Sequence, residues 1–163
     1  MNPSPPPTLR AATLADAARA LAWTPEAGAL RRWAGPSTRH PATPESLWED
    51  INHSDATTFA LELPEHGLAA FGQVRYREQT YGHLARLIVS PELRGRGLGR
   101  LLCLALMREA VRLHAIKAFS LYVFPDNLNA IGLYRSLGYV EVGRHPQVNC
   151  LLMEAPLSAL PAE

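Results

Sequence analysis

Leu87-Ile88-Val89-Ser90-Pro91-Glu92-Leu93-Arg94-Gly95-Arg96-Gly97-Leu98-Gly99-Arg100 is the stretch that decides how this chain folds. It opens with three apolar residues that suit a buried strand, and Pro91 then turns the chain because it lacks a backbone N–H. Three glycines alternating with arginines follow, and they lead into an apolar-periodic run. Glycine lets the backbone adopt conformations that a Cβ forbids and lets it approach a ligand closely. A helix start leaves several N–H groups unpaired and carries partial positive charge, which suits a pyrophosphate. Each hydrogen bond from such an amide to a charged oxygen contributes about 1.5–3 kcal/mol. Two other phosphate loops are excluded. No Lys follows the glycines, as a P-loop requires. Gly95, Gly97 and Gly99 run G-x-G-x-G instead of G-x-G-x-x-G, and no acid lies near Phe119, where a dinucleotide fingerprint needs one.

Outward from this stretch, the middle of the chain reads as a strand meander. Thr57 to Leu63, Leu68 to Arg77 and Tyr81 to Ser90 are extended segments, broken at Pro64-Glu65-His66-Gly67 and near Glu78-Gln79-Thr80. Gly99 to Ala115 reads as a helix, with Leu102, Ala105, Leu106, Ala110 and Leu113 on one face. Ala118 to Phe124 is a further strand, Leu128 to Leu137 a helix ended by Gly138, and Tyr139 to Arg144 and Val148 to Glu154 a closing strand pair. Upstream, Leu9 to Thr13 forms a first strand, and Thr13 caps a helix through about Leu21. Thr43-Pro44-Glu45-Ser46 starts another helix, with Pro at its first position. Residues 23–40, rich in Pro, Gly and Arg, carry no clear signal. The order defines a mixed α/β domain around one sheet.

The 163 residues are 47% hydrophobic and 19% charged, a globular composition for one domain over 8–156, flanked by a mobile Pro-rich tail at 1–7 and a second tail at 157–163. The net charge of +1 gives no general attraction to nucleic acid. No apolar run spans a bilayer, and the start has neither a basic nor an apolar segment, so the expected location is the cytoplasm. Cys103 and Cys150 form no C-x-x-C pair and the six histidines show no ligand spacing with them, so no metal is expected and both thiols read as buried hydrophobes. Arg31, Arg32, Arg77 and Arg86 form no binding stripe and read as solvated or ion-paired faces. Trp23, Trp33 and Trp48 read as core packing before cleft lining.

Arg94-x-x-Gly97-x-Gly99 resembles the [RQ]-x-x-G-x-[GA] motif of the GNAT superfamily of N-acetyltransferases, preceded as there by a V-x-P turn. A second block, Asn127-Leu128-Asn129-Ala130-Ile131-Gly132-Leu133-Tyr134-Arg135-Ser136-Leu137-Gly138-Tyr139, resembles the family's N-x-x-A-x-x-L-Y-x-x-x-G-[FY] segment. Together the blocks cover about Leu84 to Val140, in the family's order.

The resemblance implies a mostly antiparallel sheet flanked by helices and splayed between its fourth and fifth strands, with acetyl-CoA as co-substrate. Backbone groups of Leu87, Ile88 and Val89 would pair with the pantetheine arm. Amides of Arg94, Gly95, Arg96, Gly97, Leu98 and Gly99, together with Arg100, would hold the pyrophosphate. The Asn127 side chain would hydrogen-bond the pantetheine, and Tyr134 would sit beside the thioester sulfur. An alkyl ammonium has a pKa near 10.4 and only the neutral amine attacks, so a base is needed, and the departing thiolate needs a proton. Tyr134 is the candidate acid. His83, eleven residues before Arg94, is the candidate base, where histone acetyltransferases of the family carry Glu and arylalkylamine acetyltransferases carry His. The latter have a second His where this chain has Ala85. Ribosomal-protein Nα-acetyltransferases use a Glu on the fifth strand, where this chain has Tyr122. Strand alternation puts His83 on one side with Ala85, Leu87 and Val89 unless a bulge intervenes. The expected partner is a small amine or amino acid, with a protein N-terminus or lysine and a non-catalytic acyl-CoA sensor as alternatives. No nucleic acid or membrane is expected, and the oligomeric state stays open, a homodimer being possible since dimers are common in the family.

Overall fold

The computed structural model describes residues 2–163. Seven strands form one sheet in the order β1-β2-β3-β4-β5-β7-β6. They are β1 Thr8–Ala11, β2 Ala56–Leu63, β3 Gly67–Arg77, β4 Tyr81–Val89, β5 Ala118–Val123, β6 Val140–Arg144 and β7 Leu151–Pro156. The helices are α1 Leu14–Ala22, α2 Ala27–Ala34, α3 Pro44–Ile51, α4 Leu98–Leu113 and α5 Leu128–Ser136. The sheet is mostly antiparallel, but β4 and β5 pair in parallel from Tyr81↔Ala118 to Leu84↔Leu121. The paired stretch ends there, while β4 continues to Val89 and β5 to Val123. This is the mixed α/β fold that the sequence order implies.

Two compact units divide the chain. One comprises Met1–Gln73 and Arg86–Leu102, the other Val74–Ala85 and Cys103–Glu163. In the first, Ala17, Ala20, Leu30, Ala34, Leu47, Ile51, Phe71 and Ile88 form a buried cluster. Full burial of each Leu or Ile side chain there contributes about 1.5–3 kcal/mol. Trp23, Trp33 and Trp48 pack against this cluster half-buried, in the core role expected of them. Both expected caps form: Thr13 and Thr43 each accept a hydrogen bond from the third residue of the helix that follows, and Asp16 and Ser46 reciprocate. The unreadable stretch 23–40 contains α2, whose first turn has no side-chain cap and which stops at Gly35. Burial of Leu30 and Ala34 holds it in place, a tertiary cause that leaves little trace in so short a helix.

In the second unit, α4 comes close to β4. A Cβ on Gly82 would lie 2.8 Å from the Ala110 Cβ and 3.1 Å from Ile116 Cδ1. Glu78 and Gln79, both left-handed, make the tight turn between β3 and β4. The final strand runs over Leu151–Pro156, later than the expected 148–154. The preceding turn is tied by Gln147 and Val148 N–H groups that donate to His145 Nδ1, so the apolar Val148 belongs to that turn. Leu157–Ala159 forms a short 3-10 turn. Cys103 and Cys150 are buried and not joined by a disulfide.

Candidate active site

Two left-handed glycines shape the loop between β4 and α4. Gly95 has φ +79° and Gly97 φ +78°, and an added Cβ would meet nothing within 4 Å at either position. The requirement is therefore conformational rather than spatial, since any other residue would be strained at these angles. Residues alternating between right- or extended and left-handed conformations turn successive N–H groups toward one side and make an anion-binding concavity. Gly97 directly precedes α4, and the Leu101 N–H donates to the Gly97 carbonyl at 3.1 Å, the first bond of the helical ladder. The amides of Leu98, Gly99 and Arg100 thus belong to the turn that has no partners within the helix. Arg94 Nε donates to the Val89 carbonyl at 3.2 Å and ties the loop back to the strand end. Arg94, Gly95, Arg96, Gly97 and Arg100 are exposed, whereas Leu98 is buried and anchors the helix start. By conformation and exposure this loop fits a pyrophosphate.

Within β4, alternation fails at Arg86, a non-glycine residue with φ +53°. His83 and Leu87 therefore do not share a simple two-residue register, and the expected common face of His83, Ala85, Leu87 and Val89 is interrupted. Arg86, read from sequence as part of a solvated or ion-paired face, has neutral hydrogen-bond partners in the first unit. It is half-buried, its Nε donates to the Ala34 carbonyl at 2.8 Å and its Nη1 to Gln73 Oε1 at 2.9 Å.

In the second unit, His83 is 3% exposed, and its Nδ1 lies 2.8 Å from Ser120 Oγ, directly across the parallel register. Its ring meets the Tyr122 ring edge-on at 5.1 Å, and His145 meets Tyr122 at 4.7 Å. The Arg77 guanidinium lies 5.5 Å from the centre of the same ring. Ser120 and His145 escape the sequence reading, because only the fold brings them to His83 and Tyr122. Tyr134 is buried on α5, with its ring 6.0 Å from that of Tyr139. Burial, reinforced by the nearby Cys103 thiol, pushes its phenol well above the ordinary tyrosine range, so it stays protonated at neutral pH. Asn127 caps α5, its side-chain oxygen accepting from the Ala130 N–H at 3.4 Å. Among the described residues, no group of three or more His, Cys, Asp and Glu side chains is placed to hold a metal ion, and no helix is long and apolar enough to cross a membrane.

A mostly antiparallel sheet with β4 and β5 parallel, and a glycine loop entering α4, match the fold of the GNAT acyltransferases. The acetyltransferase (GNAT) family model matches residues 27–139, well over half of the chain, and the protein belongs to that family. It is accordingly an acyltransferase enzyme, in a family whose acyl donor is acetyl-CoA. Among solved structures, spermidine N-acetyltransferase from Vibrio cholerae in complex with CoA and spermine is similar at 19% identity, over 94% of this chain and 97% of that one, with a TM-score of 0.77. The ribosomal-protein-S18-alanine N-acetyltransferase from Escherichia coli is similar at 21% identity, over 93% and 94% of the two chains, with a TM-score of 0.67. At these identities the likeness is one of fold.

Proposed function

We propose that the protein transfers the acetyl group of acetyl-CoA to the primary amine of a small molecule or amino acid. The observation that carries this reading is the conformation of the Arg94–Gly99 segment, where left-handed Gly95 and Gly97 lead into the first turn of α4, a turn whose amides have no carbonyl partners within the helix. Those amides, with Arg100, hold the pyrophosphate. Backbone groups of Leu87, Ile88 and Val89 pair with the pantetheine arm, and the Asn127 carboxamide donates to it, since its oxygen is already committed to the helix cap.

Bound acetyl-CoA supplies the thioester, and the chain's own side chains manage protons. Tyr134 donates to the departing thiolate sulfur. Its phenol is protonated at neutral pH and so has the proton to give, while burial makes it a weaker acid than an exposed tyrosine. His83 accepts the ammonium proton through one water at Nε2, while Ser120 fixes the ring through Nδ1. The near-complete burial of His83 favours a water-mediated path over direct contact. A small acceptor is supported by the Vibrio cholerae relative, in which this fold holds CoA together with spermine.

The test is acetyl-CoA consumption, followed as thiol release, against a panel of polyamines, amino acids and short peptides. Turnover with at least one small amine, exceeding that with every peptide, is expected. Peptide-only turnover overturns the acceptor class, and a protein that binds neither acetyl-CoA nor CoA overturns the donor.

A further inference from the structure

We propose that Arg86 is a positioning residue for the acyl donor, fixing the backbone of Leu87–Val89 through a clasp on the last turn of α2. The proposal rests on the acetyl-CoA reading above.

Both ends of this residue are held. Its guanidinium donates to the Ala34 carbonyl at 2.8 Å and to Gln73 Oε1 at 2.9 Å. Its own carbonyl accepts from Trp33 Nε1 at 2.8 Å. Trp33 and Ala34 are the final two residues of α2, where helix carbonyls lack partners within the helix. Gln73 is fully buried and cannot swing away, because its Nε2 donates to the Ile51 carbonyl at 2.8 Å and to Thr58 Oγ1 at 2.9 Å. Trp33 is braced in turn by the Phe71 ring, edge-on at 5.7 Å.

This grip explains an otherwise unfavourable backbone. An arginine has no local reason to adopt φ +53°, since its Cβ crowds the following carbonyl there. Released, residue 86 would return to the extended region, and the strand would regain its two-residue alternation. Every N–H and C=O from Leu87 to Val89 would then rotate relative to the Ser90 N–H, which is fixed on the Ala69 carbonyl at 2.8 Å. Those are the backbone groups assigned to the pantetheine arm. Arg86 thus acts on the donor through the strand, without touching it. The pyrophosphate loop lies beyond Ser90, and its Arg94 bond to the Val89 carbonyl ties it to the moved backbone only through one flexible side chain, so it depends on the clasp far less than the strand does.

Two ligands separate these effects in titration calorimetry. Acetyl-CoA engages the loop and the strand, whereas 3′-phospho-ADP lacks the pantetheine arm and engages the loop alone. In Arg86→Gly, which tolerates a positive φ but cannot hold it, acetyl-CoA affinity should fall on the order of tenfold while 3′-phospho-ADP stays within about twofold. Trp33→Phe keeps the ring against Phe71 and removes only the bond to the Arg86 carbonyl. It should show the same selective loss, smaller in size, and it carries the test if Arg86→Gly fails to fold. Equal weakening of both ligands, or unchanged acetyl-CoA affinity in the folded variants, overturns the positioning role. A wild-type protein that binds neither ligand overturns the acetyl-CoA reading beneath it.

Discussion

The Arg94–Gly99 loop and the His83–Tyr122 cluster, the two parts of the proposed site, are built in opposite ways. The loop works through backbone. Its residues are mostly exposed, a Cβ at Gly95 or Gly97 would meet no neighbour, and its shape lies in two dihedral angles. The cluster works through side chains. His83 is buried, and its partner Ser120 lies 37 residues away, brought opposite by the parallel register of β4 and β5. A function made of backbone conformation leaves its mark as glycine spacing, while one made of register leaves no local mark. The two should also break differently.

The sharpest break is Gly97→Val. A β-branched residue at φ +78° forces the loop out of the conformation proposed to bind the pyrophosphate, although space for the side chain exists. Losing two or three amide-to-phosphate bonds, each about 1.5–3 kcal/mol, should reduce acetyl-CoA affinity by more than about 10²-fold. Calorimetry reads the loss, and an unchanged circular dichroism spectrum shows that the fold survives. Retained affinity would show that the loop does not bind by backbone.

Tyr134→Phe removes one hydroxyl and little volume. Turnover should fall about 10²–10⁴-fold with acetyl-CoA affinity nearly unchanged. Wild-type turnover in this variant would return Tyr134 to a packing role.

His83→Ala comes next, at about 10²-fold, the lower end of general-base effects, because solvent takes over part of the work. In the wild type kcat/KM should rise with pH through an ionisation that the variant lacks. The variant should also recover at high pH, where more acceptor is already neutral. The acceptor's own pKa must be titrated separately to isolate that limb. An unchanged acid limb with full turnover at pH 7 would move the proton acceptor elsewhere.

The smallest effect concerns scaffold rather than site. Burial tends to raise the Asp16 carboxyl pKa, but bonds from Arg10 at 2.6 and 2.9 Å and from Thr13 outweigh it and hold the pKa below the ordinary value. A depressed folded-state pKa adds stability above the unfolded value, near 3.9, and that stability is lost as pH falls through the folded value. Asp16→Asn should therefore cost about 1.5–3 kcal/mol at pH 7. The gap between the two melting curves should close as the pH drops below the carboxylate range. A gap that persists in acid would assign the loss to packing.

Taken alone, the sequence determined the order of the strands and of every helix but α2, both threonine caps and the glycine loop. These depend on interactions within a few residues: a side-chain oxygen reaching the third N–H, an apolar period, or a glycine where φ must be positive. It read α2 as ambiguous because that helix is held by the burial of Leu30 and Ala34 rather than by a cap. It misplaced β7 because the His145-bonded turn uses residues that also suit a strand. Only the tertiary structure decided that Arg86 is held by Ala34 and Gln73, that β4 loses its alternation there, and that Ser120 and Tyr122 flank His83. The physical reason is range. Propensity and capping are settled between near neighbours, whereas the bulge and the histidine's surroundings arise from hydrogen bonds and ring contacts between segments that the fold alone brings within reach.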